Sequence, residues 1–329
     1  MNRLQHVLGV IDHWQRRHRG VALTYAVIKK LGDDNANQYV VALGWYGFVA
    51  IYPLLLVVIT IFGFIGAASL GHSVVSTLHE FPVVGTQFNP ASSKTLQGSG
   101  LGLVVGLLGL LYGAQGVTQT VEQAMAGVWH VPQIERPGFV SRLVRSLAAL
   151  FTIGGAFVVN AAVGTIVTNS HVSLAIRMPA LVAMVLLNLA LYTVVFWVTT
   201  PGAPGPRDLC VGAALASLGF TFLITLGSGL VQHQLRHSSA TYGQFGLVIG
   251  LVGFLFLLAK ISLYGAELNP VLVRHLWPRA MTSTDPTEAD DQVLAGIVHQ
   301  TRRREDQVIG VGFGDDAPAA AAAEAEGAP

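Results

Sequence analysis

Apolar residues gather in this chain into long blocks, without the polar interruptions of an amphipathic surface helix. A bilayer-crossing helix needs about 20 mostly apolar residues. Six segments qualify: 39–68, 100–117, 147–167, 179–198, 209–231 and 242–268. The fifth is the most dilute, carrying Ser217, Thr221, Thr225 and Ser228. Lipid offers backbone groups no water, so each block must close its own hydrogen bonds as a helix, and strand-like alternation is absent. The expected fold is all-α: a polytopic integral membrane bundle of six transmembrane helices.

Of the 329 residues, 52% are hydrophobic and 11% charged, which excludes an ordinary soluble domain. The net charge of +1 hides an asymmetry. Six Lys or Arg precede the first block, Arg136, Arg142 and Arg145 follow the second, Arg207 follows the fourth, and five follow the sixth. The alternate connections hold only Lys94, Arg177 and Arg236. The positive-inside rule then places both termini in the cytoplasm, in agreement with an even number of crossings. Cys210 is the single cysteine, so no intrachain disulfide is expected. No cleavable leader is recognised, and the first block is expected to remain a span.

Three regions follow. Residues 1–38 form a basic amphipathic cytoplasmic arm, in which Leu4, Val7, Leu8, Ile11, Trp14 and Val21 alternate with Arg16, Arg17 and Arg19. That pattern suits a helix lying on anionic headgroups, so membrane lipids are the expected partner. Residues 39–278 form the transmembrane domain, with a connection at 69–99 long enough to fold over the outer mouth of the bundle. Residues 279–329 form a polar, largely disordered cytoplasmic tail ending in a low-complexity run of Ala, Glu, Gly and Pro.

Glycines mark two helix faces. Gly98, Gly102, Gly106, Gly109, Gly113 and Gly116 recur every three or four residues in the second block, and Gly246, Gly250 and Gly253 form a shorter stripe in the sixth. In lipid such faces let neighbouring backbones approach closely; room for an acyl chain is the alternative reading. Pro53, at mid-depth in the first block, removes a backbone hydrogen bond and serves either as a packing kink or as a hinge.

The sixth block also carries charge. Lys260 and Glu267 are seven residues apart, which returns them to nearly the same face, with Tyr264 between them and Asn269-Pro270 just beyond. A Lys at mid-membrane costs roughly 2.5–3.5 kcal/mol on insertion scales and calls for a partner or a watery neighbour. Lys260, Tyr264, Glu267 and Asn269 are therefore the candidate cavity or gate, against a structural reading in which Lys260 snorkels and Glu267 meets water or Arg274.

Other chemistry is absent from the pattern. His233 and His237 share a helical face, and His72, His79, Glu80 and His171 lie in connections, without a zinc-binding framework; no metal and no cofactor is expected. There is no phosphate-binding Gly-rich loop, no Gly-x-Ser-x-Gly elbow and no basic-aromatic platform for nucleic acid. No catalytic residue is assigned, and an enzyme is not expected.

Several segments carry a resemblance to a family. Tyr46–Leu56 reads YGFVAIYPLLL, Gly106–Trp129 ends ahead of a basic loop, and Tyr192 is followed by Pro201, Arg207, Asp208 and Gly212-Ala213. Tyr242-Gly243 is followed by Leu263-Tyr264-Gly265-Ala266-Glu267-Leu268-Asn269. Over about residues 33–276 the chain resembles the YihY/BrkB family of bacterial inner-membrane proteins, departing from its pattern at Gln244, Phe245 and Lys260. The resemblance implies a six-helix inner-membrane protein tied to envelope integrity or export of envelope components. The expectation is a transporter- or flippase-like protein for an amphipathic lipid or envelope precursor. The alternative is a non-transporting scaffold for envelope or division machinery. Self-association is left open.

Overall fold

The computed structural model describes residues 3–64, 100–136, 173–202, 204–238, 243–282 and 285–314, with isolated positions between 138 and 163. Within these stretches, the side chains of 3–8, 52, 55, 58–64, 102 and 225–247 are outside the description. The described residues form α1 (Arg3–Arg17), α2 (Arg19–Asp33), α3 (Asn37–Phe64), α4 (Gly100–Val128), α5 (Leu174–Thr199), α6 (Pro206–Ser238), α7 (Gly243–Val273) and α8 (Glu288–His299). No strand occurs among them.

Four stretches are long and apolar enough to cross a bilayer: Leu103–Val128, Leu174–Thr199, Pro206–Ile224 and Val248–Val273. They coincide with the second, fourth, fifth and sixth expected blocks. The first block falls on α3, which runs through Pro53 without ending there. The third block and the 69–99 connection lie outside the described residues.

Glycine decides how α3 meets α4. A Cβ on Gly109 would stand 2.8 Å from Pro53, one on Gly113 2.7 Å from Ala50, and one on Gly106 3.0 Å from Val57. The same close approach joins α6 to α7, where a Cβ on Gly265 would lie 2.9 Å from Ala216 and one on Gly212 would collide with the Gly265 carbonyl. Sequence reasoning did not single out this second crossing. The Gly246/Gly250/Gly253 stripe differs: Gly250 and Gly253 are exposed, and a Cβ on Gly253 would meet nothing. At Gly253 no helix stands within contact among the described residues. Apolar residues elsewhere on the spans, among them Leu108, Leu186 and Phe222, face outward, as lipid contact requires.

The core sits at the end of the bundle where the two ends of the described chain meet. Met125, Val128, Trp129, Phe196, Leu209 and Ala266 form one buried group, and Ala26, Val27, Val271, Leu276 and Val293 form another. The first links the spans; the second links α2, α7 and α8. Three helices end here in left-handed corners, at Asn35 (φ 52°), His130 (φ 50°) and His275 (φ 54°). Each corner is closed by a backbone bond across it, from Ala36 N–H to Leu31 O (3.0 Å), Val131 N–H to Ala126 O (2.8 Å) and Leu276 N–H to Val271 O (3.0 Å). Glycine usually fills this position. A histidine there carries a backbone penalty that its side chain must offset.

The expectation of disorder over 279–329 does not describe the first part of that segment. Glu288–His299 is helical, with Ala289, Asp290 and Val293 buried. The reason is local: Val293 joins the α2–α7 core, and Asp290 caps the helix by accepting the Thr287 N–H at 2.9 Å. Residues 315–329 lie outside the described residues.

Candidate functional site

The candidate site forms where α2 crosses the end of α7. Along α2, Ala22, Ala26 and Lys30 recur every four residues and are buried, so the stripe facing the bundle ends in a charge. The Lys30 ammonium has three protons, and each finds an acceptor: Asp34 Oδ2 at 2.5 Å, Glu267 Oε2 at 2.8 Å and the Val128 carbonyl at 2.8 Å. Val128 closes α4, so Lys30 also sits at the negative end of that helix. Neither the Lys30 nor the Glu267 side chain has any exposure.

Asp34 is held from both sides. Its Oδ2 accepts from Lys30, and its Oδ1 accepts from His130 Nε2 at 2.9 Å. This bond gives the left-handed His130 its purpose. The Nδ1 side of the ring abuts Gly296 of α8 so closely that a Cβ there would collide with it. Glycine at 296 is thus required for α8 to seat on this corner. Arg274 donates to the Trp129 carbonyl at 3.1 Å and stacks over the Trp129 ring, 5.5 Å from its centre.

Electrostatics follow from this packing. Burial works against charge on Lys30, but Glu267 and Asp34 outweigh it and hold the ammonium above its ordinary range. For Asp34, burial pushes upward, yet the His130 hydrogen bond and Lys30 leave the carboxyl below its usual value. For His130, burial pulls downward against the Asp34 bond, and nearby Lys30 and Arg274 add to the fall. His130 is therefore neutral at pH 7, with its proton on Nε2.

A second buried charge cluster joins the arm to α8. Asp290 accepts from Arg279 Nε, from Lys29 Nζ at 2.7 Å and from the Ala280 N–H at 3.0 Å, while Arg279 also reaches Asp33 at 2.7 Å. Burial raises the Asp290 carboxyl, but Lys29 and Arg279 more than reverse this and hold it well below the carboxylate range.

The sequence-derived candidates divide. Glu267 and Asn269 are fully buried, and Asn269 Oδ1 accepts the Gly212 N–H at 2.7 Å, fastening α7 to α6. Tyr264 is half-buried and bridges the apolar groups around Leu263 and Val271. Lys260 is exposed. Glu267 is paired with Lys30, not with Lys260, and Arg274 is engaged by Trp129. The physical reason is distance: Lys260 lies seven residues, or roughly 10 Å, up the helix, beyond the part of α7 that the arm covers. Pro53 packs on Gly109 inside α3. Lys30, Asp34 and His130 were missed, because a lysine in a basic arm looks like lipid contact; the Ala22–Ala26–Lys30–Asp34 spacing was the available signal.

Inside the bundle runs a polar seam. Asn188 on α5 and Ser217 on α6 are fully buried, Thr221 is nearly so, and Tyr192 hydrogen-bonds Ser262 between α5 and α7 at 2.9 Å. Ser217 donates to the Val185 carbonyl at 2.8 Å. Among the described residues, no group of three or more His, Cys, Asp or Glu could hold a metal ion.

Comparison with known proteins agrees with a membrane assignment. The family described as virulence factor BrkB matches over residues 27–290. An uncharacterised protein of Dickeya dadantii (strain 3937) is 23% identical over 285 residues, covering 78% of this chain and 86% of the relative. The inner membrane protein YhjD of Escherichia coli (strain K12) is 22% identical over 275 residues, covering 76% of this chain and 81% of the relative. No solved structure matches.

Proposed function

Since the chain belongs to the virulence factor BrkB family of membrane proteins, we propose that it is a transporter- or flippase-like protein of the bacterial inner membrane. Its cargo is an amphipathic envelope component, and both termini are cytoplasmic. The observation that carries this reading is the Lys30–Glu267 contact, a fully buried hydrogen bond between a membrane-spanning helix and a helix that does not span. A pair of this kind closes the cytoplasmic end while α2 is seated and leaves it open when α2 lifts. The seam of Asn188, Tyr192, Ser217, Thr221 and Ser262 supplies polar groups at membrane depth, where polar side chains line pathways or join helices. The cytoplasmic location rests on the Lys and Arg distribution. It is supported by α2 and the segment around Arg279–Asp290 meeting at the same end of the bundle.

The test is reconstitution into vesicles carrying a fluorescent phospholipid, read by quencher access. Wild type moves lipid faster than protein-free vesicles, and Glu267→Gln changes that rate. Identical rates in wild-type and empty vesicles, repeated with a lipid-linked saccharide, would remove the reading.

A scaffold is the second reading, favoured by the exposed apolar Leu294 and Val298 on α8. Substituting both with Ser tests it better than deleting residues 281–329, because Asp290 and Val293 hold the arm. A scaffold loses its partners in that variant, whereas a transporter keeps its flux.

A further inference from the structure

We propose that Glu267 and Asp34 share one exchangeable proton, making the end of α7 a proton-binding site that decides whether the α2 arm stays seated. The argument starts from charge. Two carboxyls, Asp34 and Glu267, face one ammonium, that of Lys30, and Glu267 and Lys30 are fully buried. With both acids ionised the cluster carries an uncompensated negative charge away from water, an arrangement that proteins relieve by binding a proton.

Geometry decides where that proton sits. His130 is excluded: its Nε2–H is given to Asp34, its Nδ1 side is packed against Gly296, and Arg274 stands nearby. Asp34 has donors on both oxygens, from Lys30 and from His130. Among the described residues, Glu267 has one donor, at Oε2, while its buried Oε1 meets none. The carboxyl with fewer donors is the one that keeps the proton. Asp34 Oδ2 and Glu267 Oε2 share the Lys30 ammonium at 2.5 and 2.8 Å, so the two carboxyls stand side by side and the protonated acid has a carboxylate neighbour.

The balance is simple. In the seated state Glu267 is neutral, Asp34 is negative and Lys30 positive, and the cluster sums to zero. Loss of the proton to water on the arm's side leaves two carboxylates competing for Lys30, with no further cation bonded to them. Around the two acids stand Lys30 on α2, Tyr39 on α3, His130 after α4, Arg274 after α7 and uncharged Gly296 on α8. Repulsion between the carboxylates then favours hydration of Glu267 and release of the arm. The proton thereby becomes the coupling ion of the transport cycle, a last step that rests on the function proposed above.

The site is tested without any cargo. In nanodiscs, spin labels are placed at the exposed positions 28 and 260 by Ile28→Cys and Lys260→Cys in a Cys210→Ser background, and their separation is followed from neutral to alkaline pH. Wild type lengthens as the arm leaves, and Glu267→Gln, a mimic of the protonated acid, holds the neutral-pH distance throughout. Infrared spectra at neutral pH show a buried protonated carboxyl in wild type that is missing in Glu267→Gln. A wild-type distance independent of pH, or a carboxyl signal unchanged in both Glu267→Gln and Asp34→Asn, overturns the proposal. Lipid flux with a non-titrating arm sinks this inference and leaves the transport reading standing. A titrating arm in a protein without flux upholds the proton site and sinks the transport reading alone.

Discussion

Lys30 and Glu267 are 237 positions apart in the chain and meet at 2.8 Å, with neither side chain reached by solvent. The pair fastens an arm that precedes every span to the last span described. Its energetics are asymmetric. Removing the ammonium strands two acids, whereas an amide in place of the Glu267 carboxyl still accepts a hydrogen bond.

Lys30→Met is therefore expected to destabilise the protein by about 3–5 kcal/mol, the usual cost of breaking a buried pair. Glu267→Gln should cost only about 1 kcal/mol. Lys260→Met, at an exposed position, should stay within about 0.5 kcal/mol of wild type. Thermal unfolding in one detergent ranks the three. Equal losses at Lys30 and Lys260 would show that the buried pair contributes nothing.

Close backbone contact gives a second contrast. Gly212→Ala and Gly265→Ala force α6 and α7 apart at their crossing, and each should cost about 1–3 kcal/mol. Gly253→Ala meets open space and should be neutral or stabilising by up to about 1 kcal/mol through helix propensity. The same melting assay, with size-exclusion profiles, reads both outcomes.

How much of this was legible in advance depended on the kind of signal. The blocks that became α4, α5, α6 and α7 could be read because lipid demands unbroken apolar length. The α4 glycine face could be read because its spacing is regular. Lys260 drew attention as a charge in an apolar run, yet a long side chain at an exposed position can reach outward. Lys30 carried no such mark, lying beside Lys29 in a polar arm, and its pairing with Glu267 is a tertiary fact. The α8 helix was hidden for a related reason: its polar composition reads as disorder until Val293 and Asp290 find their partners in the arm.

Acid should weaken the corner at His130. Its folded pKa lies below the ordinary His value of about 6.5, so the unfolded chain takes up a proton first. The stabilisation is fully present above pH ~6.5 and declines as pH falls from there through the lower folded value. Melting temperature should drop between pH 7 and 5 in wild type, and by less in His130→Gln. Parallel curves for the two proteins would remove His130 from the explanation.

The Asp290 cluster should resist acid further. Its folded pKa is depressed, so its contribution is present above the unfolded Asp value of about 3.9 and lost only as pH falls through the folded one. Asp290→Asn should weaken the attachment of α8 at neutral pH by about 1.5–3 kcal/mol, the range for charge-assisted hydrogen bonds. Limited proteolysis is the assay: the variant should be cut around residues 281–300 much faster than wild type, and equal rates would contradict the assignment.

The 237-residue gap between Lys30 and Glu267 also constrains biogenesis. A ribosome releases Lys30 long before α7 exists, so the newborn arm waits as a hydrated, basic segment while the intervening helices enter the bilayer. The contact can form only once α7 has been made. Truncated chains stopping short of Glu267 will carry an unmoored N-terminus, which gives quality-control proteases a way to distinguish them from finished molecules.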